Sequence, residues 1–326
     1  MLMIQESFLV QPHAPFRLDL TVWALRRRAH NRIDQWDGAT YTRVLVVDQV
    51  PVKVCVSQQQ TGTTPKLLVN VWSPKPLEHL SSKIGAVLQR ILGFDIDLTG
   101  FYTVAKRDTA VDALSQRFLG MKPPRFPSLF EAFLNAFACQ QITLDVGMLL
   151  LNRLTETYGI KCADGQTVCS AFPRPEEVAT ASIESLRTLG FSRQKAQAML
   201  ELATMLTQEQ QDLSLLECMN NEEVRTSVAS LRGVGRWTAE YVLLRGLGRL
   251  ETFPGDDVGA QKNLQQLLHL AEKPAYETIK ALTAPWQPYA GLIYFHLLLG
   301  TLEKQGVVEA ARLPLPGGSA SGLDTL

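Results

Sequence analysis

The stretch "LRGVGRWTAEYVLLRGLG", Leu231 to Gly248, constrains this chain more than any other. Gly233 and Gly235 stand one residue apart in front of a segment with helical patterning. A helix entrance is capped better by Ser, Thr, Asp or Asn. Glycine there signals a need for bare backbone, because it tolerates positive φ and exposes its N–H with no Cβ in the way. With "SVASLRGVG" upstream, the pattern reads as helix, tight turn, helix. The second helix begins near Arg236, so its first amides point outward unpaired. Such a turn is an anion cradle suited to one phosphate, with Arg236 adding charge at its rim. On these residues alone an ordinary helical hairpin stays open. A dinucleotide loop fits poorly, since a third glycine and a preceding strand are missing.

Composition narrows the setting. The 326 residues suggest two or three domains, and 46% hydrophobic with 20% charged residues is ordinary for a soluble globular protein. No apolar run approaches the ~18 residues that would span a bilayer. The start "MLMIQESFLV" lacks a basic region and a cleavage site, so no signal peptide is expected. A formal net charge of zero argues against a broad basic face but leaves room for a local phosphate grip. Cys55, Cys139, Cys162, Cys169 and Cys218 are odd in number and form no CxxC. A disulfide framework and a cysteine metal site are therefore not expected, and a reducing cytosol is. His13, His30, His79, His269 and His296 show no ligand spacing.

The chain divides in character. Residues 1–112 read as a β-rich domain. "TYTRVLVVDQVPVKVCVSQ" (Thr40–Gln58) has β-branched runs with alternation, broken at Asp48-Gln49, and "PKLLVNVW" (Pro65–Trp72) is a further strand. "HLSSKIGAVLQRILGF" carries a helix stopped at Gly93. "MKPPRFPS" (Met121–Ser128) is a proline-rich joint. Helical domains are expected over 113–305, with the hairpin at 222–246. Ser128 and Glu131 form a capping box, and Ile142-Thr143 is a poor helix centre, so two helices are expected over Ser128–Gly159. Residues 306–326 read as a flexible tail. The fold class is α+β.

The hairpin, with "FPGDD" after it, resembles the helix-hairpin-helix DNA glycosylase superfamily, whose signature is LxGVG, a helix and a downstream Asp. Within it the 3-methyladenine DNA glycosylase II type is most similar. "QPHAPFRLDLTVWALRRRA", "FEAFLNAFACQQIT" and "WQPYAGLIYFHLLL" resemble its entry, its first long helix and its C-terminal helix. The resemblance implies a β-rich N-terminal domain, helical domains with a cleft between them, and excision of damaged bases from double-stranded DNA. It implies no membrane partner, a monomer, and a cytoplasmic protein, nucleoid-associated if bacterial.

The resemblance also assigns roles. Asp257 matches the catalytic carboxylate, while capping alone accounts for Asp256. Cleaving an N-glycosidic bond builds positive charge on the sugar, which one carboxylate stabilises while orienting water. An N-alkylated purine is already cationic and leaves without an acid. Members that also nick the backbone carry a lysine two residues after the second glycine, for Schiff-base attack. Trp237 stands there, so a monofunctional enzyme is expected. Trp237 and Tyr241 share a helix face and line the base pocket, where a cationic purine gains cation–π attraction. Packing in the core is the plainer reading of both. Trp23 lies near the type's N-terminal pocket aromatic. Leu298, counted from His296, replaces a pocket Trp.

The DNA grip comprises Gly233, Val234, Gly235, Arg236 and Thr238. Gln141, where the type has Leu, fills the gap left by the extruded base, with Ile142 beside it. The carbonyls of Ala229, Leu231 and Val234 match those that hold a monovalent cation in relatives. Some relatives carry a four-cysteine iron–sulfur cluster after this region. No cysteine follows Cys218, so neither that cluster nor another cofactor is expected. Two alternatives stay open: a glycosylase for oxidised or deaminated bases, and a non-catalytic DNA-binding module.

Overall fold

In a computed structural model the chain is described over residues 3–163 and 168–309. Five strands, β1 (Ile4–Val10), β2 (Gln35–Trp36), β3 (Thr40–Val47), β4 (Val50–Gln60) and β5 (Lys66–Ser73), form one antiparallel sheet in the order β1-β5-β4-β3-β2. The break expected at Asp48-Gln49 is a two-residue turn with φ of 48° and 64°, the left-handed pair that suits a tight hairpin. Val50, Val52, Val54 and Val56 alternate onto one buried face. Helix α1 (Leu18–Arg26) crosses between β1 and β2, and α2 (Leu80–Leu92) follows β5. The latter buries Ile84, Leu88, Ile91 and Leu92 and stops at Gly93, which takes φ 55°.

The remaining chain is almost wholly helical: α3 (Thr99–Ala105), α4 (Thr109–Arg117), α5 (Leu129–Cys139) and α6 (Leu144–Tyr158). A small hairpin of β6 (Lys161–Ala163) and β7 (Val168–Ser170) intervenes. Then come α7 (Pro175–Ala179), α8 (Ile183–Thr188), α9 (Arg193–Thr207), α10 (Asn221–Ala229) and α11 (Arg236–Val242), and finally α12 (Val258–Leu267), α13 (Tyr276–Thr283) and α14 (Ala290–Lys304). The expected split of Ser128–Gly159 occurs: α5 ends at Cys139, Gln141 takes φ 54°, and Thr143 caps α6. Ser128 caps α5 through the Glu131 amide at 3.2 Å. Only half of the expected capping box forms, because the Glu131 carboxylate turns inward to Arg43 at 2.6 Å. Arg43 also binds Asp34 at 2.6 Å, so a buried acid–base–acid triad fastens the sheet to α5.

Two apolar clusters organise the molecule. The first runs without a break from the sheet through α2 and α5 to α6 and α9. The second gathers Leu20, Trp23 and Ala24 of α1 with α3, α4, α12 and α14. The helix starting at Arg236 lies on the seam: Tyr241, Val242 and Leu243 join the first cluster, Leu244 the second. It continues as a π-helical turn, Leu243–Leu247, before Gly248 ends it at φ 76°. The seam therefore carries whatever the loop after this helix presents. Of the expected tail, residues 310–326 lie outside the described residues, while Val308 is buried in the second cluster. Among the described residues no helix is long and apolar enough to cross a membrane.

Candidate active site

The hairpin turn lies between α10 and α11. Asn220 caps α10 in a reciprocal box with Glu223. Gly233 takes φ 77°, and a Cβ there would lie 3.1 Å from Ala198 Cβ, so both conformation and packing demand glycine. Gly235 differs from the expectation of positive φ. It is extended at φ −104°, ψ −176°, and an added Cβ would meet nothing within 4 Å. Its bareness serves open space, not the fold. The Val234 amide donates to Leu231 O at 3.1 Å and closes the turn. Among the described residues no protein acceptor takes the amides of Gly235, Arg236, Trp237 and Thr238, and the helix begins with no side-chain cap. Arg236 at the rim is held by Asp256 (Nε–Oδ2 2.6 Å, Nη2–Oδ1 2.9 Å) and lies over the Tyr276 ring at 3.7 Å.

Asp257 caps α12: its Oδ1 accepts the Ala260 amide at 2.9 Å. The other oxygen faces the aromatic residues of the seam. Oδ2 accepts the Trp237 Nε1–H at 3.3 Å and the Tyr294 hydroxyl at 3.2 Å. The capping role expected of the acids and the role of a reacting carboxylate thus fall on one residue, one oxygen each. Asp256 instead pairs with Arg236.

Trp237 and Tyr241 stack with centroids 5.1 Å apart, as their shared face required. Tyr241 is 2% exposed, and its hydroxyl accepts from Arg27 Nη1 at 2.8 Å. Arg27 Nη2 donates to Asn135 Oδ1 at 2.7 Å, and Arg27 itself sits at the end of α1 with φ 61°. Desolvation alone would lower the Arg27 pKa, but the Tyr241 and Cys139 groups beside it raise it overall. Burial, more than neighbouring Asp257, pushes the Tyr294 hydroxyl well above the usual phenol range, so it serves as a donor. Trp23 packs in the second cluster under the Arg26 guanidinium, 4.7 Å away. Thr238 is also buried, and its hydroxyl accepts from Gln140 Nε2 at 2.7 Å, so only its amide faces outward.

Leu298 and Tyr294 both pack against the second cluster, and Tyr294, one turn earlier on α14, reaches Asp257. Sequence reasoning missed Tyr294, Arg27 and Gln140. Tyr294 sits in the stretch read as the C-terminal helix, and a one-turn shift of register along α14 would have found it. Gln141 and Ile142 are exposed at the turn between α5 and α6. Gln140 ties that turn to the hairpin, donating to Gly233 O at 2.7 Å as well as to Thr238.

Residues 134–288, which hold the second half of α5, the hairpin and Asp257, match the HhH-GPD superfamily base excision DNA repair protein family. A Bacillus subtilis DNA-3-methyladenine glycosylase is 25% identical over 283 residues, 86% of this chain and 93% of that one. This segment carries the features of the helix-hairpin-helix base excision DNA repair superfamily. The likeness of fold extends beyond the matched segment. The 3-methyladenine DNA-glycosylase of Archaeoglobus fulgidus superimposes with a TM-score of 0.80 at 23% identity, covering 92% of this chain and all of that one. A Clostridium acetobutylicum 8-oxoguanine glycosylase/lyase in complex with double-stranded DNA does so with a TM-score of 0.70 at 14% identity, over 94% and 99%. One superfamily architecture thus serves different lesions, and the site residues have to tell them apart.

Proposed function

We propose that this protein is a monofunctional DNA glycosylase that hydrolyses the N-glycosidic bond of alkylated purines, of the 3-methyladenine type, in duplex DNA. The Asp257 carboxylate carries the reading: it is fixed by Trp237 and Tyr294 at the seam, twenty residues downstream of a bare-amide hairpin. As the bond to an extruded base breaks, the sugar gains positive charge, and Oδ2 stabilises it and orients water. The outward amides of Gly235, Arg236 and Trp237, with Arg236, take a backbone phosphate. A monovalent cation on the carbonyls of Ala229, Leu231 and Val234 would add charge to that grip. Gln141 and Ile142 fill the gap in the stack.

Trp237 favours this reading over a bifunctional enzyme for oxidised bases, because an indole cannot form a Schiff base. A pure DNA-binding module has no use for a fixed carboxylate that repels phosphate beside its grip. The test is base release from methylated duplex DNA, with borohydride trapping and strand nicking measured in parallel. Release of 3-methyladenine without trapping or nicking is expected, lost in Asp257→Asn. Equal release by both proteins defeats the assignment. Binding without release from any lesion favours the module.

A further inference from the structure

The helix starting at Arg236 carries a second carboxylate that the reaction above does not use. Glu240 is 2% exposed, and among the described residues no Lys or Arg lies within ion-pair distance. Burying such a group without a cation is costly unless hydrogen bonds hold it. Two do. Its Oε1 accepts the Tyr276 hydroxyl at 2.5 Å, and its Oε2 accepts the Gly255 amide at 3.1 Å. Gly255 lies two residues before Asp257 and its own carbonyl accepts Gln261 Nε2 at 2.8 Å. The loop is thus gripped from both sides, and the Asp257 amide closes it on Pro254 O at 3.1 Å.

The loop also rests on an aromatic ring. A Cβ at Gly255 would lie 2.7 Å from Tyr276 Cδ2. The Arg236 guanidinium lies 3.7 Å from that same ring and is tied to Asp256 of the same loop. Glu240, Tyr276, Arg236, Asp256 and Gly255 therefore close a ring of contacts joining the hairpin helix, α13 and the loop that ends in Asp257. A leucine would fill such a site as well for packing alone. A carboxylate is needed only if two donors must be drawn to one point.

We propose that Glu240 is a positioning residue for catalysis: its carboxylate, oriented by Tyr276, sets the Pro254–Asp257 loop through the Gly255 amide and so aims Asp257 at the sugar. This rests on Asp257 being the reacting carboxylate. Protonation weakens the arrangement, because a carboxylic acid has an acceptor fewer and its carbonyl draws the Gly255 amide less strongly than a carboxylate does. Burial raises the Glu240 pKa, opposed by the Tyr276 and Gly255 hydrogen bonds and by Arg225, while Asp256 adds to the rise. The titratable and charged groups facing Glu240 are thus Tyr276 of α13, Arg225 of α10, Asp256 of the loop, and Arg236 at the start of its own helix.

The experiment is single-turnover release of methylated base at saturating enzyme across the acid range, for wild type, Glu240→Gln and Tyr276→Phe, with affinity for an abasic-analogue duplex measured alongside. Glu240→Gln is expected to slow release about tenfold or more, since a misplacement of order 1 Å can cost about 10²-fold. Its affinity should stay unchanged and its acid limb should flatten. Tyr276→Phe, which removes a donor to the ionised form, should move the acid limb to higher pH. A Glu240→Gln rate–pH curve superposing on wild type overturns the proposal, as does weakened affinity with an unchanged rate. If Glu240→Gln fails to fold, a Tyr276→Phe curve identical to wild type overturns it instead. Wild type that releases no base at all fails the proposed function and takes this inference with it.

Discussion

Trp237 and Asp257 meet through one hydrogen bond, indole Nε1 to Oδ2 at 3.3 Å. Twenty residues separate them, and the helix, the π-helical turn and the Pro254–Asp257 loop between them bring the ring back over the acid. The same indole stacks on Tyr241, so the residue that stands where a Schiff-base lysine would also holds the carboxylate.

If those donors aim Oδ2, Trp237→Phe and Tyr294→Phe should each slow single-turnover base release by about tenfold or more, on the scale of ~1.5–3 kcal/mol for a hydrogen bond to a charged group. The double variant measures whether they act as a unit.

Gly235 and Gly233 should separate function from folding. Gly235→Ala adds a methyl to open space at an ordinary φ, so stability should change by less than about 0.5 kcal/mol while duplex affinity falls. Gly233→Ala should cost about 1 kcal/mol or more of stability, because φ is 77° and Ala198 is in the way. Urea unfolding and a DNA titration check both.

Gln140→Ala removes the strap between the wedge turn and the hairpin. It leaves Gly233 O and Thr238 Oγ1 without that donor, at a cost of ~1–3 kcal/mol. Release from duplex DNA should suffer more than release from a single strand, where no base need be extruded. Equal losses would show that Gln140 only stabilises the fold.

Arg43→Met strands Asp34 and Glu131, whose side chains are 3% and 5% exposed, without their shared cation. Breaking a buried pair in this way costs about 3–5 kcal/mol. Denaturant unfolding of the variant should show a loss of that order.

His296 makes stability pH-dependent. It is 1% exposed, its Nδ1 lies 2.8 Å from Leu292 O, and Nε2 has no partner among the described residues. Burial drives its pKa from 6.5 down to about 4. The unfolded chain therefore binds a proton at a pH where the folded one does not. This contribution is full above pH 6.5 and is lost as pH falls towards 4, by about 3 kcal/mol in all. In His296→Leu the slope of unfolding free energy against pH should flatten across that window.

Much of this protein was already written in local sequence. The β3–β4 hairpin followed from alternation around Asp48-Gln49, and the break between α5 and α6 from Ile142-Thr143. The hairpin followed from two glycines before a helix, and the cap of α12 from two acids at a helix start, while the choice of Asp257 as the reacting acid came from the resemblance. Each is a property of a few neighbouring residues: a period, a cap, a φ that only glycine takes easily. The tertiary structure alone decided who their partners are. It sent Glu131 to Arg43 instead of back to its own cap, and it put Tyr294 on Asp257. It also closed the ring from Glu240 to Gly255. Those contacts join elements far apart in the chain, and a side chain's partner across a packed seam depends on the register and crossing of whole helices, which no local pattern encodes.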